Sequence, residues 1–437
     1  MLETGHTDYD HLPADEIKEI QYRNLSWQLE HAYNNSPFYN RLYKKLDIYP
    51  SDLKSIDDIA ALPLISREDL SENNFEFLAV PRDKVADVSR TSGTTGNSIY
   101  VYMSHKDLWH ACGLCARQYI SLGIEGWGAG LALLLPADEL INPSLAQEIA
   151  FRDMMGLPFY RIGPISRDKQ LKYLQDLAPG SVDATPSSLL TLGEFIKSKG
   201  IDPRSLNILR AHLLGQPLYG AGWKPLVLKT KLEELWGCEV ISAYGTTELF
   251  SGNIECSAHA GHHIPHESVL VEIIDPDTGE PLPPGVPGEV VITTLYREAM
   301  PLIRYRTKDI SWLEVEPCAC GATTPRVMAV LGRKDDFLKI KGTGMFPGDI
   351  ENSIMKVDGI TGYLIKAYID ESGQELVEII IASGLEPEAI VGRVKAQVKA
   401  DTMVTPKVTV DSQEAVNAQV FSPGSRKPRR FHDLRKR

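Results

Sequence analysis

Between residues 128 and 250, short apolar runs (GLALLLP, VDATP, ILRAHLLG, CEVISAYG) alternate with stretches of helical periodicity such as 187–199 and 226–236. A chain patterned this way is restricted to β-α units around a largely parallel sheet, the α/β class. In such sheets ligands lie beyond the carboxyl ends of the strands, so residues just after each apolar run are the candidates for chemistry. Upstream, 15–46 reads as helix, with Ile17, Ile20, Leu25, Trp27, Leu29, Ala32 and Tyr33 at helical spacing and Pro37 as an interruption. Ser66 and Asp69 in SREDL have the spacing of a capping box.

After about residue 264 the texture changes. SVLVEIIDPDTGEPLPPGVPGEVVITTL reads as strand, Pro/Gly/Asp turn and strand, the pattern of a β-rich layer. RKDD at 333–336 is a charged link without an apolar residue. Beyond it a strand (338–341), a helix (347–356), two strands (about 361–369 and 375–382) and a helix (386–400) are expected. The expected organisation is therefore a large N-terminal domain, 1–334, of parallel sheets with helices plus a β-rich layer. A small mobile α+β C-terminal domain, 335–437, follows it.

Net charge narrows the function. At −12 over 437 residues the chain is a poor match for nucleic acid, and the seven Lys/Arg within 424–437 are interleaved with a single phenyl ring, Phe431. No apolar run approaches the roughly 20 residues that span a bilayer, so no membrane partner is expected. The polar, acidic start MLETGHTDYDHLPADE does not read as a secretory signal, and six scattered cysteines do not read as a disulfide framework. A cytoplasmic location is expected, with a homodimer left open.

Four stretches carry chemistry. SRTSGTTGNSIYV, 89–101, follows an apolar strand and holds two glycines and a string of hydroxyls, but no lysine. Glycines let backbone N–H groups converge on one point, so Ser92, Gly93, Thr94, Thr95 and Gly96 form a plausible phosphate cradle; read alone, the same loop is a solvated turn. It is not a Walker A loop, and Asn97 stands where related loops often have lysine. ISAYGTTEL, 241–249, ends a strand in a glycine turn with Glu248 placed to hold Mg²⁺ through one carboxylate. Asp309, in MPLIRYRTKDI, sits where a carboxylate can accept both hydroxyls of a ribose. Lys427 lies in the basic terminus PGSRKPRRFHDLRKR, which in isolation reads as a disordered solvated tail or an anion-binding patch.

Together with GRKDDFLKIKG, 332–342, these stretches in this order resemble the adenylate-forming superfamily, and the whole chain resembles its phenylacetate–CoA ligase family. The likeness runs through AYNNSPFYNRLYK, LPLISREDL, TSGTTG, TPSSLL, YGTTEL, EIIDPDTGEPLP, EAMPLIRYRTKDI and GRKDDFLKIKGTGMFPGDIE. It implies an ATP-dependent, AMP-forming acid–CoA ligase acting on an aryl or arylacetic acid, with ATP, Mg²⁺ and coenzyme A. By the same resemblance the 92–96 loop wraps the β- and γ-phosphates, and Tyr244 stacks on adenine beside Gly245 and Thr246. Thr247 meets the α-phosphate, Glu248 binds Mg²⁺, Asp309 and Arg333 hold the ribose, Asp335 is the hinge and Gly342 lines the pantetheine tunnel. Lys427, in K-P-R-R-F-H-D, matches the catalytic lysine of the terminal K-x-x-R-x-x-D pattern.

Joining a carboxylate to the α-phosphate brings two anions together, so placed positive charge in a water-poor cleft removes much of the barrier. Mg²⁺ on Glu248 and Lys427 are expected to supply it. Two departures from the family pattern bear on the acid. Gly215-Gln216-Pro217 replaces the usual Gly-Ala-Glu-Pro turn near adenine and the acyl pocket, and 133–165 lacks the small aromatic-and-glycine run of a phenylacetate pocket. An adenylyltransferase similar to the synthetases that move AMP onto a deazaflavin hydroxyl without CoA is the alternative enzyme. A catalytically inactive nucleotide-binding module is the non-enzymatic one.

Cys256 opens CSAHAGHH, and Cys318 and Cys320 form CAC. Thiolates and an imidazole from two separate turns suit a closed tetrahedral Zn²⁺ site. The resemblance points to His263 as the fourth ligand over His259 or His262, and the site would clamp the Glu248 loop to the β-layer. Cys112, Cys115 and Cys238 read as core residues.

Overall fold

The computed structural model describes residues 9–91, 98–124, 130–136, 140, 144–249, 253–340, 342–421 and 428–435. Contacts gather the chain into two compact units, Met1–Lys224 with Lys229–Ala329, and Pro225–Leu228 with Val330–Arg437.

The first unit begins with α1 (Ala14–Asn35) and α2 (Pro37–Lys45), divided where Pro37 takes the first position of the new helix under a Ser36 cap. Helix α3 (Arg67–Glu72) starts on the Ser66–Asp69 capping box, with Asp69 N–H donating to Ser66 Oγ at 3.0 Å. Strands β1 (Val85–Arg90) and β2 (Tyr100–Ser104) form an antiparallel hairpin around the hydroxyl-rich segment, and α4 (His105–Ser121) follows on a second capping box, Ser104–Asp107.

The central layer is a six-stranded sheet. Five parallel strands, β3 (Leu131–Leu133), β4 (Phe159–Arg161), β5 (Ser181–Ala184), β6 (Arg210–Leu214) and β7 (Glu239–Tyr244), run in the order β7-β6-β5-β3-β4. The edge strand β8 (Asn253–Ile254) pairs antiparallel with β7. Helices α5 (Ser144–Ile149), α6 (Arg167–Leu177), α7 (Pro186–Ser198) and α8 (Val227–Trp236) fall in the connections. In TPSS, Thr185 caps α7 and Pro186 fills its first position, so the strand-to-helix turn is written locally. β3 and β5 are buried along their whole length, as expected of a parallel sheet covered on both sides.

The β-rich layer has two parts. β9 (His262–His263) joins a three-stranded sheet, while β10 (Val269–Ile274), β11 (Gly288–Thr294) and β12 (Tyr305–Ser311) form an antiparallel meander. β13 (Leu313–Glu314) and β14 (Arg326–Val327) complete the three-stranded sheet in the order β9-β14-β13.

The second unit carries the hairpin β15 (Leu338–Ile340) and β16 (Thr343–Met345), then α9 (Pro347–Met355), β17 (Ile360–Ile369), β18 (Glu375–Ser383) and α10 (Pro387–Thr402). Its core joins Leu338, Ile340, Ile350, Ile354, Ile365 and Ile379. Three further elements close it: β19 (Lys407–Val410), α11 (Gln413–Val420) and β20 (Phe431–Asp433), in a sheet ordered β19-β18-β17-β20.

The basic terminus is therefore not a solvated tail over 428–435. β20 pairs parallel with β17, and Arg435 ties this segment down by bonds to Asp433 (2.8 Å), Glu375 (3.1 Å) and the Phe337 carbonyl (2.8 Å). Among the described residues no helix is long and apolar enough to cross a membrane.

Candidate active site

Two strand ends in the first unit bring the predicted residues together. Tyr244 closes β7, and its buried hydroxyl donates to Asp309 Oδ2 on β12 at 3.0 Å. Burial, reinforced by the Asp309 carboxylate, pushes that phenol well above its ordinary range, so it stays a donor. Gly245 is exposed and Thr246 and Thr247 are half-buried in the turn that follows. Leu249 N–H donates to Thr246 at both its carbonyl (3.2 Å) and its hydroxyl (3.3 Å), closing the turn around Glu248.

Glu248 is 6% exposed. Tyr305, at the start of β12, donates its hydroxyl to Glu248 Oε1 at 3.1 Å, and the Arg67 guanidinium lies 3.5 Å from the same oxygen. Arg67 also donates to Thr91 Oγ1 at 3.3 Å, and that hydroxyl accepts from Ile99 N–H at 3.2 Å. Thr91 and Ile99 bracket the hydroxyl-rich segment, so one half-buried cation faces both its neck and the carboxylate expected to bind magnesium. Sequence reasoning missed Arg67, Thr91 and Tyr305. The only trace of Arg67 is its place directly after the Ser66 cap, where arginine reads as a solvated first-turn residue.

Ser92, Gly93, Thr94, Thr95, Gly96 and Asn97 lie outside the described residues, as does Lys427. Gly215, at the end of β6, has φ +85°, a backbone conformation that favours glycine. Gln216 beside it accepts from Ser187 N–H at 2.9 Å, so its side chain serves a backbone donor in the first turn of α7. Within the sheet, Asp183 accepts from Tyr119 at 3.0 Å and pairs with His212 at 2.9 Å, a fully buried polar group that ties α4 to β5 and β6.

In the second unit Arg333 and Asp335 are exposed at the start of the unit, around the short turn Lys334–Asp336. Gly342 has φ +85°, a conformation that favours glycine, and among the described residues nothing lies within 4 Å of where a Cβ would stand.

A second cluster stands apart. The ligand atoms of Cys256, His263, Cys318 and Cys320 all lie within 4.8 Å of one another. Cys256 and Cys318 sulfurs are 3.6 Å apart, and Cys320 Sγ is 3.5 Å from His263 Nε2. Donor atoms bound tetrahedrally at Zn–S about 2.3 Å and Zn–N about 2.0 Å would stand roughly 3.5–3.8 Å apart, so the spacing and the donor set fit that ion. Thr324 engages the other ring nitrogen of His263 at 2.6 Å, which fixes the ring. His262 and His259 face elsewhere: His262 contacts Ser242 Oγ (2.9 Å) and the Val327 carbonyl (3.1 Å), and His259 lies between Glu255 (2.9 Å) and Glu239 (3.1 Å). Glu255, next to Cys256, accepts from Ser242 N–H on β7 at 2.7 Å, which fastens the cluster to the sheet. Cys112 and Cys238 are buried, and Cys115 is half-buried.

A family model described as AMP-binding enzyme matches residues 48–295, more than half the chain. A phenylacetate–coenzyme A ligase of Aromatoleum evansii is 33% identical over 88% of this chain and 86% of its own. The phenylacetate–coenzyme A ligase of Thermus thermophilus is 29% identical over 91% and 93%. A crystal structure of 2-hydroxyisobutyryl-CoA ligase in the postadenylation state superposes with a TM-score of 0.86 at 21% identity, over 98% of this chain and 92% of that one, which places the fold. By its motifs, its strand-end geometry and these matches, the chain belongs to the AMP-binding enzyme family of the adenylate-forming superfamily.

Proposed function

We propose that the protein is an AMP-forming acid–CoA ligase, acting on an aryl or arylacetic acid of which phenylacetate is the first candidate. A carboxylate oxygen of the acid attacks the α-phosphorus of ATP and pyrophosphate leaves. The thiol of coenzyme A then attacks the acyl carbonyl of the adenylate and AMP leaves. The observation that carries this reading is the joined pair of strand ends, Tyr244 on Asp309 and Tyr305 with Arg67 on Glu248. The relatives named for phenylacetate and coenzyme A cover most of the chain and support the substrate class.

In this reading Asp309 binds the ribose, positioned by the Tyr244 hydroxyl, and Glu248 is the magnesium ligand. Mg²⁺ bound there would neutralise triphosphate charge, consistent with its usual mode of one or two carboxylates plus phosphate and water. Arg67 is the charge partner of Glu248, and it stands at the neck of the hydroxyl loop that lacks lysine. Its role is to turn that charge to the β- and γ-phosphates as pyrophosphate departs. Thr247 contacts the α-phosphate, Ser92, Gly93, Thr94, Thr95 and Gly96 orient the leaving group, and Lys427 bridges the two reacting anions. Arg333 completes the ribose site, Asp335 is the hinge, and Gly342 admits pantetheine. Cys256, His263, Cys318 and Cys320 hold structural Zn²⁺.

The test is a screen of aryl, arylacetic and short aliphatic acids for pyrophosphate release, with and without CoA. Acid-dependent release with CoA consumption is expected. Acid-independent AMP transfer without CoA consumption would replace this reading with the adenylyltransferase.

A further inference from the structure

We infer that Arg297 is a positioning residue for adenylation: its buried guanidinium grips the Leu249 carbonyl and thereby fixes Glu248 in place. The inference rests on the reading of Glu248 as the magnesium ligand. Arg297 lies in the connection between β11 and β12, distant in sequence from the Thr246–Leu249 turn, yet its Nη2 donates to the Leu249 carbonyl at 2.7 Å. That carbonyl belongs to the residue directly after Glu248. The turn is thus closed on its own side by Leu249 N–H on Thr246 and braced on the other by a charge-assisted bond.

The base of this strut is itself clamped. Gln28, fully buried on α1, receives the Arg297 N–H at its side-chain oxygen and donates to the Arg297 carbonyl at 2.8 Å. Asp107, buried on α4, accepts from Glu298 N–H at 2.7 Å and Ala299 N–H at 2.8 Å, while His31 contacts the Glu298 carbonyl at 2.7 Å. Three side chains from two helices therefore hold 297–299, and one guanidinium carries that rigidity to the magnesium turn.

The rest of the guanidinium faces a small cavity, lined also by His110, Ser268 and Leu295, and its Nη1 has no partner among the described residues. A neutral donor would serve one carbonyl without burying a charge, which is costly for a guanidinium removed from bulk solvent. The fork has a second use: its planar geometry fixes direction as well as distance, and a displacement of about 1 Å at a reacting centre costs about 10²-fold.

The experiment measures the Mg²⁺ concentration for half-maximal pyrophosphate release in wild type, Arg297→Met, Arg297→Lys and Glu248→Gln. Thioester formation from supplied acyl-adenylate is followed in parallel. Arg297→Met should raise the half-saturating Mg²⁺ about tenfold or more, with thioester formation within about twofold of wild type and Arg297→Lys in between. A soluble Arg297→Met with unchanged Mg²⁺ dependence, or with both half-reactions lowered alike, overturns the inference. Should the methionine variant not fold, Arg297→Lys decides: a shift of about threefold or more supports it, and a smaller one overturns it. If Glu248→Gln leaves the Mg²⁺ dependence unmoved, the magnesium reading fails and this inference falls with it. If Glu248→Gln moves it and Arg297→Met does not, only the positioning role fails.

Discussion

Replacing Arg67 by methionine tests where the phosphate loop finds its positive charge. The Arg67 side chain is 22% exposed, and its guanidinium lies 3.5 Å from the carboxylate of the buried Glu248. Unit charges about 4 Å apart interact by about 4 kcal/mol near a protein surface and about 1 kcal/mol in water. Partial exposure puts Arg67 between these, at about 3 kcal/mol, or about 10²-fold in rate if it is spent on the departing pyrophosphate. The methionine variant should therefore lose about 10²-fold in kcat/KM for ATP in pyrophosphate release, and Arg67→Lys should lose less than about tenfold. Thioester formation from supplied acyl-adenylate should be unchanged, because no triphosphate is present in that step. Loss of both half-reactions in equal measure would make Arg67 a structural partner of Glu248 only, and loss of neither would refute the charge argument.

Lys427→Ala should lower acyl-adenylate formation by about 10²–10³-fold and spare thioester formation from the supplied adenylate, measured as two separate half-reactions. Asp335→Pro should likewise impair one half-reaction far more than the other. Protein purified without added zinc should contain close to one Zn per chain, and Cys318→Ser should lose it; less than about half an equivalent in the wild type would dismiss the metal. Burial holds the His110 imidazole below its ordinary 6.5, so in the window beneath that value the unfolded chain takes up a proton that the folded chain resists. Stability should accordingly fall as pH drops below 6.5, and His110→Gln should flatten that slope in thermal unfolding followed from pH 7 to 5.

The fold was largely legible because its signals are local. The TPSS cap of α7, the Ser66–Asp69 box of α3 and the Pro37 break each act over three or four residues, and period and length separate strands from helices in 128–250. β19, α11 and β20 were not read, since two strands of three or four residues and one eight-residue helix carry little periodicity, and the strands owe their form to pairing with β17 and β18. The same divide runs through the site. Cys256, His263, Cys318 and Cys320 stand out by residue chemistry, and Glu248 and Asp309 by their place at strand ends. Arg67 and Arg297 do not, because arginine is common on surfaces. What gives each a role is a partner reached only through the tertiary fold, Glu248 for one and the Leu249 carbonyl for the other.

The most direct measurement is ATP–pyrophosphate exchange with phenylacetate and its aryl analogues in the absence of CoA, followed by addition of CoA to the same reaction. Acid-dependent exchange that gives way to equal amounts of AMP and acyl-CoA is the predicted result. Exchange that never depends on an acid, or AMP formed without any thioester when CoA is present, would contradict it.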